Sequence, residues 1–138
     1  MNQRGFATLE VILMVMVIGI LASVAVPRFN EVTTAANTAK IQSDLSTIDT
    51  AISIYYMDNG SYPTAISQLK DYLKDAANIK PPKGKAYING TATDIAANAS
   101  YSIKQPAANS TEEARAILDS HTAGEFTKST PSSGGDWE

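Results

Sequence analysis

Two hydrophobic patterns meet in the first sixty residues of the chain. From Phe6 to Phe29 the sequence is apolar around every side of a helix, with one acidic group, Glu10, and no basic group before Arg28. Beyond it the apolar positions thin to a single stripe. Ile41, Leu45, Ile48, Ile52 and Tyr55 follow a 4-3-4-3 spacing, which places them on one helix face. Ala35, Ala36, Ala39 and Ala51 favour the helix, and Lys40, Gln42, Asp44, Ser46 and Asp49 lie between the apolar positions. The pattern predicts one helix from about Ala7 to Met57, roughly 75 Å long at 1.5 Å per residue. Its first half suits lipid, and its second half carries a soluble head on one stripe.

Ala7 to Val26 provides the roughly 20 residues needed to cross a hydrocarbon layer of about 30 Å. Only Thr8, Glu10 and Ser23 interrupt its apolar character. Arg4 favours a cytoplasmic N-terminal side. The run is too long for a secretory signal, and Val-Ala-Val-Pro after Ser23 is a poor small-residue cleavage site. A plain signal anchor satisfies the hydropathy but gives no reason to bury a carboxylate. A charge at the centre of such a helix costs about 2.5–3.5 kcal/mol on insertion scales, so Glu10 is a functional position that needs a partner. Gly19 and Pro27 are expected to break the helix, with Pro27 kinking or locally opening it at the membrane exit. Pro27 lacks an N–H and clashes with the preceding turn.

The head is punctuated by turn residues. Gly60 suits a left-handed helix cap and Pro63 blocks further helix. Thr64–Ala77 reads as a second helix, with Ile66, Leu69, Leu73 and Ala76 on one face. Pro81-Pro82-Lys83-Gly84 is a loop. Ala86–Asn89 and Tyr101–Ile103 alternate briefly and are expected to be two strands of a small antiparallel sheet. Ser110-Thr111-Glu112-Glu113 has capping-box spacing and predicts a short helix over Ala114–His121. Residues 131–138 read as a tail.

Composition narrows the function. The chain has 138 residues, 43% hydrophobic but crowded at the N-terminus, and a net charge of −3. Nucleic acid is therefore not an expected partner. Loss of Met1–Gly5 would remove one Arg, leaving 10 basic against 14 acidic residues, or −4. The absence of cysteine excludes disulfides, thiolate metal sites and cysteine catalysis. His121, the single histidine, is expected at a helix C-terminus. Asp58 is read as part of a turn and cap ahead of a calcium ligand, and Tyr55, Tyr56 and Tyr62 as packing residues ahead of an electron-transfer path. No catalytic constellation stands out, so the chain is not expected to be an enzyme.

Arg4-Gly5-Phe6-Ala7-Thr8-Leu9-Glu10, followed by the apolar run with Gly19 and Pro27, resembles the N-terminus of type IV pilins and type II secretion pseudopilins. The family pattern is a basic residue, Gly, then Phe, with Glu fifth after the cut. The family usually reads Phe-Thr-Leu-Ile-Glu, whereas this chain has Phe-Ala-Thr-Leu-Glu; the Phe-to-Glu spacing is kept. Asp58-Asn59-Gly60-Ser61-Tyr62-Pro63 also resembles the segment after the long helix in pseudopilins.

The resemblance implies an α+β, pilin-like fold in which the long helix packs on a small antiparallel sheet, with a third strand near Glu125–Lys128. It implies a leader of residues 1–5, an assembly helix of 6–29 and a head of 30–138. A prepilin peptidase would cut between Gly5 and Phe6, and Phe6 would be N-methylated. Its amine, with a reference pKa of about 7.7–8.0, would pair with Glu10 of a neighbour and set register between subunits. Gly19 to Pro27 would be able to extend in a filament. Calcium binding in the C-terminal region is a family property. Asp119, Glu125, Asp136 and Glu138 are candidates without a residue-by-residue match, so no cofactor is expected beyond that possibility. The first expectation is a type IV pilus subunit, anchored in the bacterial inner membrane and assembled by a membrane platform with a separate motor. The alternative is a pseudopilin of a periplasmic secretion fibre, and a membrane-tethered binding protein stands third.

Overall fold

The computed structural model describes residues 3–129. These divide between Thr33 and Thr34 into two units. One helix, α1 (Gln3–Asn59), runs through both and is unbroken at Gly19 and Pro27. It ends two residues past the expected Met57. Gly60, at φ 68°, lies in the left-handed region, and its N–H donates to the Tyr56 carbonyl at 2.8 Å. This is the left-handed cap that satisfies one of the last orphan carbonyls.

In the first unit the helix buries none of its apolar residues. Its window of highest mean hydropathy, 2.7, meets the length and composition of a membrane span. The Thr8 hydroxyl donates to the Arg4 carbonyl at 2.9 Å and Ser23 to the Ile20 carbonyl at 2.7 Å. Back-bonding of this kind lets hydroxyl groups sit in an apolar helix without an unpaired donor.

In the second unit, residues 34–59 of α1 supply one side of the core. Ile41, Leu45, Ile48, Ala51 and Ile52 are buried, and Tyr55 packs half-buried beside them. The opposite side comes from Leu69, Leu73, Ala86, Tyr101, Ala116, Leu118 and Phe126. The 4-3-4-3 stripe is thus the face that packs.

The rest of the head departs from expectation in ways with identifiable causes. Thr64–Ala77 is not a continuous helix. A 3-10 helix covers Ile66–Leu69, and the chain continues in turns to Ile79, with Asp75 left-handed at φ 62°. The expected face still packs, since Leu69, Leu73 and Ala76 are buried. So short a segment gains little from helix propagation, and burial sets its path instead.

The two expected strands do not pair with each other. β1 (Gly84–Ile88) pairs antiparallel with β2 (Thr91–Ile95). β3 (Ser102–Lys104) pairs with β4 (Arg115–Ile117) in a second sheet. Asn89 and Gly90 join β1 to β2 at φ 47° and 86°. Two positive φ values match the right-handed strand twist of a two-residue hairpin.

The predicted helix over Ala114–His121 is instead β4 followed by a tight turn. The Ser110 hydroxyl accepts the N–H of Glu112, two residues on, so it closes a local turn rather than capping a helix. Asp119 and Ser120 are left-handed, and Leu118 and His121 exchange both backbone hydrogen bonds across them at 2.9 Å. His121 is therefore a turn residue, not a helix terminus. The third strand expected near Glu125–Lys128 is absent. Ala123–Glu125 is a 3-10 turn, and the Glu125 and Thr127 carbonyls accept the N–H groups of Asn89 and Gly90 at the hairpin tip.

A two-stranded sheet is marginal alone and leaves open edges. Here side chains of α1 close one edge of each. Asn37 Nδ2 donates to the Lys83 and Lys85 carbonyls at 3.1 and 2.9 Å. Thr38 Oγ1 accepts the Tyr87 N–H at 2.8 Å and donates to the Thr34 carbonyl at 2.7 Å. Asp49 Oδ1 accepts the Ala116 N–H of β4 at 2.6 Å, and its Oδ2 accepts from Arg115 Nε at 3.2 Å.

Candidate assembly site

The candidate site residues lie on the first unit. Gly5, Phe6 and Glu10 are in the opening turns of α1, and all are exposed. At Gly5 a Cβ would meet nothing within 4 Å, and the same holds at Gly19. Among the described residues no packing asks for glycine at either place. Phe6 is 75% exposed.

Glu10 stands at the head of a strip formed with Leu13, Met14, Val17 and Ile18. Those spacings of three, four, seven and eight put all five on one face of a helix. No hydrogen bond or ion pair joins Glu10 to another described residue. The contrast with Thr8 and Ser23 has a physical reason. A hydroxyl reaches the carbonyl one turn back, but a carboxylate only accepts, and the N–H groups inside a helix are already committed. A carboxylate in this segment needs a donor from outside its own helix.

Pro27 offers no N–H to the Ser23 carbonyl four residues earlier. That places one missing hydrogen bond where the apolar run ends.

In the second unit, polar residues that lie between the apolar positions of α1 bond to the rest of the head. Asp44 Oδ2 accepts the Tyr101 hydroxyl at 2.7 Å and the Lys40 ammonium at 2.6 Å. Burial, then the bond to Asp44, raises the Tyr101 phenol above the ordinary tyrosine range. Tyr56 and Tyr62 stack at 4.3 Å, and Tyr55 meets Tyr72 edge-on at 5.6 Å. These rings pack the helix end, as expected of them.

Of the calcium candidates, Glu125 is engaged. Its Oε2 accepts the Thr122 N–H at 2.7 Å and its Oε1 lies 3.1 Å from His121 Nδ1. The Thr122 backbone bond, then the His121 contact, lowers its pKa. Asp136 and Glu138, like the expected tail, lie outside the described residues. Among the described residues no group of three or more His, Asp or Glu is placed to hold a metal ion.

A membrane-length apolar helix joined to small antiparallel sheets is a pilin-like α+β protein. A profile described as type II secretion system (T2SS), protein G matches residues 28–121, and the chain belongs to that family. It is similar to the type II secretion system core protein G of Klebsiella pneumoniae, 39% identical over 89 residues, covering 64% of this chain and 62% of that protein. It is 33% identical over 86 residues to the same protein of Klebsiella michiganensis, covering 62% and 59%. With that of Escherichia coli K12 it shares 35% over 80 residues, covering 58% and 54%. The alignments span roughly three fifths of the relatives' length. No solved structure matches. The matches favour the secretion pseudopilus over the type IV pilus that the sequence reading placed first. The profile begins at residue 28, so the roles of Gly5, Phe6 and Glu10 rest on the chemistry of the N-terminal segment.

Proposed function

We propose that this chain is a structural pseudopilin of a type II secretion system. It enters the inner membrane through α1, is cut between Gly5 and Phe6, is methylated on the Phe6 amine, and assembles into a periplasmic fibre. In the fibre the Phe6 ammonium of one subunit donates to Glu10 of a neighbour, with the apolar strip below Glu10 covered by adjacent helices. The observation that carries this reading is Glu10 itself, a carboxylate heading an apolar strip with no partner among the described residues. Gly5 adds support, because a glycine with open space around it serves the approach of a processing enzyme rather than the fold. Gly19 and Pro27 mark where α1 extends when the fibre is stretched.

Intact-mass measurement of the protein purified from its own membrane tests the processing step. The expected chain starts at N-methylated Phe6. A chain that retains Met1, or one cut after Val26, overturns the proposal.

A further inference from the structure

We propose that one face of the β1–β2 hairpin docks on anionic phospholipid headgroups while the subunit waits in the membrane. The inference rests on the membrane anchoring proposed above and adds a surface of the head to it. It begins with an asymmetry of charge. The chain is net acidic, yet residues 76–93 contain Lys80, Lys83 and Lys85 and no acidic residue.

The strand geometry gathers this charge. Ala86 is buried and Ile88 packs against the core. The period-2 alternation of a strand therefore turns Lys85 and Tyr87 to the other face, and Lys83 stands one residue ahead of the strand. Lys128 joins them, its Nζ 5.8 Å from the centre of the Tyr87 ring. All three lysines are exposed. Asp94 lies opposite Lys85 in the register, so Lys85 and Lys128 against one aspartate leave the face at +1, and Lys83 at the foot of the strand brings this end of the hairpin to +2. A half-buried tyrosine flanked by exposed lysines is the residue mixture that settles at a headgroup layer, with the ring at the interface and the ammonium groups on phosphate.

Chain connectivity puts this face within reach of a membrane. β1 is bonded to Asn37 and Thr38, eleven and twelve residues after Val26. Twelve residues of chain span at most about 40 Å, which tethers the hairpin to the end of the apolar run. Electrostatic attraction to an anionic surface acts over about 10 Å at moderate salt, and each lysine removed weakens it about fivefold.

The test uses the full-length chain in nanodiscs, made of phosphatidylcholine alone or with one third phosphatidylglycerol. Lysines are acylated with a water-soluble ester and the sites are read by mass spectrometry. With phosphatidylglycerol, Lys83, Lys85 and Lys128 are expected to react several-fold more slowly, while Lys70, Lys74 and Lys104 keep their rates. High salt restores the rates, and Lys83→Glu with Lys85→Glu abolishes the protection at Lys128. Equal rates in the two lipids overturn the inference. So does protection that follows the number of subunits per disc rather than lipid charge, which would mark a contact between copies. A chain that never enters the discs overturns the anchoring itself.

Discussion

Replacing Asp49 with Ala removes the acceptor that closes the outer edge of β4. Ala116 is fully buried, and its N–H donates to Asp49 Oδ1 at 2.6 Å. A hydrogen bond to a charged acceptor contributes about 1.5–3 kcal/mol, and an orphaned buried N–H loses comparable energy. The ion pair on the other carboxylate oxygen counts for less. The Arg115 side chain is 51% exposed, and such pairs contribute about 0–1 kcal/mol. Asp49→Ala is therefore expected to cost about 2–3 kcal/mol, Arg115→Ala under about 1 kcal/mol. Asp49→Asn falls between them, because its amide oxygen still accepts. For a unit of this size about 1 kcal/mol moves Tm by roughly 4–8 °C, so Asp49→Ala lowers it by about 10 °C or more. Thermal unfolding of the full chain in detergent reads this best by near-ultraviolet dichroism of the tyrosines. The apolar first part of α1 is expected to stay helical in detergent and would mask a far-ultraviolet change. If Arg115→Ala costs as much as Asp49→Ala, the carboxylate acts through its charge and the edge-closing account fails.

Three further outcomes follow from the head. Thr38→Val keeps the shape but removes the acceptor for the Tyr87 N–H; it is expected to cost about 1–2 kcal/mol in denaturant unfolding, with Thr38→Ser close to wild type. Glu125 has a folded pKa below its unfolded one, so its contribution is present above the unfolded carboxylate range and is lost as pH falls through the folded value. The stability gap between wild type and Glu125→Gln should therefore close on acidification, and a gap independent of pH would refute the assignment. Tyr101 is held neutral by burial and by its bond to Asp44. In an alkaline spectrophotometric titration it should ionise only when the head unfolds, and Tyr101→Phe should remove no early-titrating tyrosine.

The long helix was legible because two simple periodicities define it: unbroken apolar residues to Phe29, then one stripe from Ile41 to Tyr55. The candidate site was legible because a lone carboxylate in such a run is costly enough to stand out. The sheets were not, because their stability comes from side chains distant in sequence. Nothing near Asp49 announces β4 some 66 residues later, and Asn37 and Thr38 look like ordinary polar helix positions. The Asn89-Gly90 hairpin was within reach, since that dipeptide between short alternating runs is a strong turn signal. Ser110 misled because its hydroxyl has two local uses, capping a helix or closing a turn. Only the pull of Asp49 on the Ala116 N–H, with Ala116 buried in the core, selects the second.

The central claim is that Glu10 joins one subunit to the next. Glu10→Leu removes the carboxylate while keeping the apolar character of the segment. The decisive measurement is the yield of assembled fibre from this variant, set against its amount in the inner membrane. The account predicts normal insertion and cleavage with fibre yield sharply reduced. Fibres at the wild-type level from Glu10→Leu would contradict it.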